Sequence, residues 1–386
     1  MGDLNGYFIV GFCAMIVTLI ATPIVRSFAK KRNWVAVPDE RKVHTVATPD
    51  VGGIAMFAGV VVALGLAWQM DRFSPLFRGN SEPRGILLAA LLILVIGVID
   101  DVRELSAPAR VLATVGAAMI LVQSGVTMFY FRVPFFGVIQ LSNDWVPIVT
   151  IVWLLGMTQA INLIDGLDGL AAGIVAIGST AFFIYSQHLS GLGLLSEPNI
   201  GPLIAIITVG VCVGFLPFNF NPAKIFMGDT GSLILGLVNA VLVIRFINAP
   251  LNQQLANLHF NAAPAMGFAI LIVPLFDTLR VFLLRILKRR SPFSPDRNHI
   301  HHLLMDAGYK DRTITFACLF FNLVSISMAY FLQPLCNTLL FVLLFGLFWC
   351  QSARDKLHIQ PDWLQDETPF QPQDRFLFRP KHYAQQ

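Results

Sequence analysis

Charge is scarce in this sequence. Only 13% of its 386 residues are Asp, Glu, Lys or Arg, against about 25% in an ordinary soluble domain. With 55% hydrophobic residues and a mean hydropathy of +0.67, that deficit excludes a chain solvated mainly by water. Cysteine is sparse too. The five (Cys13, Cys212, Cys318, Cys336, Cys350) fall in apolar runs with no C-x-x-C spacing, so neither a disulfide framework nor a zinc finger is expected. No G-K-[ST] follows a glycine-rich turn and no H-E-x-x-H occurs, which excludes a P-loop and a zincin helix. No basic–aromatic stretch suited to nucleic acid is present, and no internal repeat.

Long apolar runs are what the chain has instead. About 20 apolar residues cross a bilayer core at about 1.5 Å per residue. Eleven spans are read, on residues 7–25, 52–69, 85–99, 108–123, 146–161, 170–187, 201–218, 232–247, 265–287, 314–332 and 335–350. The expected fold is an all-α integral membrane protein. A polytopic domain covers residues 1–350 and a polar cytoplasmic tail covers 351–386. Residues 124–145 are aromatic and interrupted by Pro134 and Gly137, which predicts an extended or hairpin loop at the membrane surface.

Orientation follows from Lys and Arg. Met-Gly-Asp precedes the first span and the positive charges follow it, the pattern of an uncleaved span with its N-terminus outside. Alternate loops and the tail carry 21 of the 27 basic residues, and the opposite loops carry 4. The first set is therefore cytoplasmic, and so is the C-terminus. The net charge of +4 reports topology and contact with anionic membrane lipid rather than nucleic acid.

The acids are few, and their placement is informative. Asp100 and Asp101 ("GVIDDVRELS"), Asp165 and Asp168 ("INLIDGLDGLAAG") and Asp229 ("NFNPAKIFMGDTGS") all sit at the cytoplasmic ends of spans. Clustered carboxylates repel unless a cation or a substrate compensates them. Carboxylates, amide oxygens and phosphates are what Mg²⁺ prefers, which points to a Mg²⁺–diphosphate site on the cytoplasmic face. Gly169, Gly173, Gly228 and Gly231 open apolar helices whose N-termini suit phosphate, or serve close helix packing in lipid. Asp277 lies inside a span, where an acid is functional by default, but Arg280 at i+3 could pair with it.

"SPDRNHIHH" supplies Arg297, His299, His301 and His302. In a helix His299 and His302 would share a face and His301 would point elsewhere. Without nearby cysteine the group is a poor zinc site, and it suits a diphosphate better.

In this order, "ERKVH" with "VGGIAMF", "IDDVRELS", "NLIDGLDGL", "IFMGDTGS" and "SPFSPDRNHIHH" resemble the polyprenyl-phosphate N-acetylhexosamine-1-phosphate transferases over residues 7–350. The histidine segment and the count of eleven spans resemble the bacterial branch acting on undecaprenyl phosphate and UDP-GlcNAc. The resemblance implies transfer of GlcNAc-1-phosphate from UDP-GlcNAc to undecaprenyl phosphate, releasing UMP. It implies a Mg²⁺ cofactor (Mn²⁺ as a substitute), a cytoplasm-facing site in the inner membrane, and a role early in O-antigen or cell-surface polysaccharide synthesis. By the same resemblance Asp100, Asp101 and Asp168 are catalytic candidates, and Asp229 and Asn162 hold the metal. Lys42, Asp165, Asn219, Phe226, Arg297, His299, His301 and His302 contact substrate, with Phe226 stacking on uracil.

Several alternatives stay open at this point. UDP-GalNAc or UDP-MurNAc-pentapeptide are other donors, and a homodimer is one assembly compatible with the chain. A nucleotide-sugar or lipid transporter is another class, disfavoured because transporters place ionisable groups near the midplane and show repeats.

Overall fold

A computed structural model describes residues 4–36, 47–133, 137–193, 195, 198–247, 272–287 and 299–331. It is predominantly helical. The order is α1 (Asn5–Lys31), a short strand pair β1 (Val35–Ala36) and β2 (Thr48–Pro49), then α2 (Gly53–Gln69). A 3-10 turn (Asp71–Phe73) and α3 (Ser74–Phe77) follow, then α4 (Glu82–Arg103) and α5 (Ala107–Gln123). Next come a hairpin of β3 (Tyr130–Val133) and β4 (Gly137–Gln140), then α6 (Trp145–Ile164), α7 (Leu170–Gly191), α8 (Gly201–Asn219) and α9 (Gly228–Ile247). The described chain closes with α10 (Ile272–Leu287), α11 (Ile300–Asp306) and α12 (Asp311–Phe331).

Six of these helices (α1, α4, α6, α7, α8 and α9) are long and apolar enough to cross a membrane. The second apolar run breaks after Gln69, and the chain turns by 93° into Asp71–Phe77. The pair counts as a seventh crossing only if taken as one bent span. α5 is apolar but shorter, at 17 residues. Ten of the expected spans coincide with a described helix in whole or part. The eleventh (335–350) and the tail lie outside the described residues, as do Lys42 and Arg297. The aromatic loop over 124–145 contains an antiparallel hairpin that pairs Tyr130 with Gln140 and Val133 with Gly137.

α9 is the centre of the bundle. Its apolar window is 89% buried, against 28% for α1, which turns Phe8, Ile9, Phe12, Ile20 and Ile24 outward. A helix apolar on every side belongs inside, and lipid supplies no hydrophobic drive between helices, so close packing at small residues holds it there. Gly53 of α2 lies against the Thr230–Gly231 backbone and Gly97 of α4 against Thr230. Gly236 of α9 lies against Thr158 of α6. A side chain at any of these glycines would meet backbone atoms. Together they fix the N-terminal end of α9, where Asp229 sits.

The two ends of the bundle are chemically distinct. At the C-terminal end of α9, Arg245 pairs with Glu82 at the start of α4 (3.0 Å) and donates to the Gly125 carbonyl beyond α5 (2.7 Å). At the other end the C-termini of α4 and α6 meet the N-termini of α5 and α9, and the acids gather there.

Candidate active site

Four chain segments build the site. The first is the end of α4. Asp100 Oδ1 accepts the Leu105 N–H, closing the turn that reverses the chain into α5, and Pro108 sits in the first turn of α5. One turn into α5, Arg110 reaches back to Asp100 Oδ2 (3.4 Å) and to Asp229 Oδ2 (3.1 Å). Asp100 Oδ2 is buried and receives no hydrogen bond.

The second segment is the start of α9. Gly228 has φ +67°, and a Cβ there would lie 2.5 Å from Asp101 Oδ2. Only glycine accommodates both the conformation and the contact. Asp101 then caps the helix. Its Oδ1 accepts the Asp229 N–H (2.8 Å), and its Oδ2 accepts the Thr230 N–H (3.2 Å) and the Thr230 hydroxyl. Asp101 therefore spends its carboxylate on orienting Asp229. Asp229 Oδ1 also accepts from Asn162 Nδ2 (2.6 Å), and that amide donates to Ser232 Oγ (2.9 Å).

The third segment joins α6 to α7. Asp165 caps the C-terminus of α6 and is half-buried. Burial, and then the charges of Asp50, Asp229 and Asp168, push its carboxyl well above the usual carboxylate range. Asp168 accepts from Asn221 Nδ2 (3.1 Å) and the Ala223 N–H (2.9 Å), which ties this loop to the one between α8 and α9. Asn219 does the same from the other side. Its Oδ1 accepts the Gly169 N–H (3.2 Å) and its Nδ2 donates to the Ile225 carbonyl (3.1 Å).

The fourth segment precedes α2. The Phe226 N–H donates to the Pro49 carbonyl (2.8 Å), and the Gly52 and Gly53 N–H groups donate to the Phe226 and Met227 carbonyls (both 2.9 Å). This pairing places Asp50 beside Phe226.

Together these segments enclose a cavity of about 440 Å³. Of the residues singled out in the sequence, Asp100, Asp101, Asn162, Asp165, Asp168, Asn219, Phe226, Asp229 and His302 line it. Asp50, Glu104 and Arg110 line it as well, and sequence reasoning missed all three. Arg110 was readable only as one more basic loop residue, although its place ten positions after Asp100 puts it one turn into the next helix.

The histidines separate. His299 lies just outside α11 with extended φ/ψ (−64°, 149°), so helical i, i+3 geometry does not relate it to His302. His299 Nδ1 lies 2.8 Å from Asp277 Oδ2 instead. His301 is buried, with its ring edge against Gly166, and its ring centroid is 4.3 Å from that of His302. Burial, helped by His302 and His299, pushes the His301 pKa down to about 3. At neutral pH it carries no charge for a phosphate. Of the three rings, only that of His302 reaches the cavity. Asp277 keeps the i+3 pairing with Arg280 (3.3 Å) and adds His299 to it.

Among the described residues no three His, Cys, Asp or Glu side chains form a closed metal cage. The donors nevertheless fit a hard cation. Mg²⁺ keeps waters and substrate phosphates and takes only one or two carboxylates from protein. Asp229 and the Asn162 amide oxygen are such donors in the cavity lining.

Known proteins carry the same arrangement of sequence. The sequence pattern of glycosyl transferase family 4 matches residues 84–247, the stretch from α4 through α9. The decaprenyl-phosphate N-acetylglucosaminephosphotransferase of Mycobacterium leprae is 37% identical over 79% of this chain and 78% of its own length. A probable undecaprenyl-phosphate N-acetylglucosaminyl 1-phosphate transferase of Bacillus subtilis is 37% identical over 79% of both chains. The undecaprenyl-phosphate alpha-N-acetylglucosaminyl 1-phosphate transferase of Thermotoga maritima is 28% identical over 89% of this chain and 99% of its own. With an acid-lined cavity at one end of an apolar helical bundle and relatives of this identity along most of its length, the chain belongs to glycosyl transferase family 4, as a membrane phosphotransferase of the polyprenyl-phosphate N-acetylhexosamine-1-phosphate transferase group.

Proposed function

We propose that the protein transfers GlcNAc-1-phosphate from UDP-GlcNAc to undecaprenyl phosphate, giving undecaprenyl-diphosphate-GlcNAc and UMP. The observation that carries this is the cavity in which Asp100, Arg110 and Asp229 form one hydrogen-bonded and ion-paired cluster beside Phe226. Bound Mg²⁺ supplies charge neutralisation to the diphosphate and to the leaving UMP phosphate. Asp229 and the Asn162 amide oxygen hold that ion, and Asp101 holds Asp229. Phe226 gives the uracil a stacking face. Asp100 and Arg110 orient the lipid phosphate for in-line attack on the β-phosphorus. Because a phosphate monoester is largely ionised near pH 7, orientation is the main demand on them. The P–O bond to UMP breaks as the new P–O bond forms, so no covalent enzyme intermediate is required.

In this reading the cavity faces the cytoplasm of the inner membrane. The chain crosses eleven times with its N-terminus outside and its C-terminus inside, and its product enters O-antigen or other surface polysaccharide synthesis. The bias of basic residues supports that orientation. The test is transfer of radiolabel from UDP-GlcNAc into butanol-extractable lipid by purified protein with Mg²⁺, and its loss in EDTA. Use of UDP-GalNAc or UDP-MurNAc-pentapeptide alone would replace the donor assignment.

A further inference from the structure

The proposed reaction does not use the buried carboxylate of Asp277. Asp277 lies on α10, 2% exposed, within an apolar helix. An acid there is expected to have a partner or a task. Its Oδ2 is 2.8 Å from His299 Nδ1, its Oδ1 accepts the Ile300 N–H at 2.9 Å, and Arg280 Nη2 is 3.3 Å from that same Oδ1. Two of these three partners are the residues that open α11. An ionised carboxylate only accepts, so His299 must present Nδ1–H to it. This contact is independent of the cavity, which His299 does not line.

From Asp277 the connection runs to the site. The His299 and His301 rings stack at 5.9 Å with 14° between their planes, and His301 packs on Gly166, beside Asp165. His302 follows on the next residue and faces the cavity. α11 has only seven residues, too few to hold a position by itself. Its placement has to come from anchors, and the Asp277 carboxylate provides two at its N-terminus.

We infer that Asp277 and His299 form a latch that positions α11, so that the first histidine of "HIHH" acts through Asp277 to set His302 and the Gly166 loop rather than by touching substrate. Asp277 is thus a positioning residue of the transferase, and its partner is a segment of the same chain. The inference rests on the proposed transferase reading only for its kinetic readout.

Two experiments test it. The first needs no activity. Hydrogen–deuterium exchange of residues 299–306 in detergent-solubilised Asp277→Asn protein should run at least about tenfold faster than in wild type, with exchange in α9 unchanged. Unchanged exchange in α11 would overturn the latch whatever the enzyme transfers.

The second is a set of transfer assays. An asparagine places its side-chain N–H near the position of a histidine Nδ1–H, so His299→Asn should recover most of the kcat lost in His299→Ala. If His299→Asn is as impaired as His299→Ala, the far side of the ring acts on substrate and the proposal fails. In a His302→Ala background, Asp277→Asn should lower kcat by less than about twofold more, because both changes remove one effect. Multiplicative losses would also overturn it. Where Asp277→Asn fails to accumulate in the membrane, Asp277→Asn with Arg280→Gln, which also removes the cation facing the lost carboxylate, carries the same comparisons.

Discussion

Asp101 offers the sharpest test of how this site is built, because its carboxylate is fully engaged before any substrate arrives. It accepts the Asp229 N–H, the Thr230 N–H and the Thr230 hydroxyl. In Asp101→Asn one oxygen can still accept from Asp229, but the new NH₂ faces a backbone donor. A lost charge-assisted bond costs about 1.5–3 kcal/mol, and a buried donor left unsatisfied costs about 1–3 kcal/mol more. Together these give about 2.5–6 kcal/mol, above the about 0.5–2 kcal/mol for loss of a helix N-cap alone, because the donors here are buried. Part of it appears as a melting temperature lower by several degrees. The rest appears as misplacement of Asp229. Residues that orient a metal ligand change metal affinity about 10- to 100-fold, so the Mg²⁺ concentration for half-maximal transfer should rise by that factor, with kcat at saturating Mg²⁺ within about threefold of wild type. Label transfer titrated against Mg²⁺, beside thermal unfolding in detergent, measures both. If turnover is abolished at every Mg²⁺ concentration while the melting temperature is unchanged, Asp101 acts on substrate itself and the capping argument fails.

Four further outcomes follow from the same geometry. Asp229→Asn should abolish Mg²⁺-dependent transfer in a protein that still inserts and melts normally, whereas Asp100→Asn should lower kcat by at least about tenfold without changing the Mg²⁺ midpoint; a shift in thermal stability alone would make either residue structural. Phe226→Ala should raise the donor KM by about 10-fold, in keeping with about 1–3 kcal/mol for base stacking, and leave the lipid acceptor KM unchanged. Gly166→Ala puts a methyl against the His301 ring and should slow transfer; turnover equal to wild type would show that the Gly166 loop yields without moving His302.

The motifs located the cavity because they report its chemistry directly. An acid at the end of an apolar run has few structural reasons to be there, so Asp100, Asp165 and Asp229 could be read without coordinates. What could not be read was which carboxylates face the cavity and which hold the scaffold. Asp101 and Asp100 are neighbours in a helix and look equivalent, yet one caps α9 while the other closes the turn into α5 and faces Arg110. That difference depends on a helix that starts more than a hundred residues later. Asn219 and Asp168 likewise tie loops together, through partners the sequence does not pair. Asp50 escaped notice because it falls between "ERKVH" and "VGGIAMF" and belongs to neither, and Arg110 because it seemed to belong to topology. The histidine triplet misled in one respect. Its regular spacing suggested helical faces, but the helix begins only at Ile300, and His299 stays outside it.

The charge of the cavity constrains the order of events. Among the described residues seven carboxylates line it, and one guanidinium. At an effective dielectric of about 20, two unit charges about 4 Å apart repel by roughly 4 kcal/mol, and two anionic substrates would add to that repulsion. Arg110 already serves Asp100 and Asp229, so it cannot also neutralise a diphosphate without releasing them. Asp165 reports the same imbalance, since its carboxyl is driven toward the protonated form by burial and by three neighbouring acids. On the proposed reading, a cation therefore enters with the donor or before it. UDP-GlcNAc binding measured by calorimetry should be undetectable in EDTA and appear with Mg²⁺, and binding should release a proton to the buffer, because an Asp165 of raised pKa gives up its proton as the cation binds. Donor affinity that is equal with and without the metal would show that fixed cations of the protein, not a divalent ion, offset the acids.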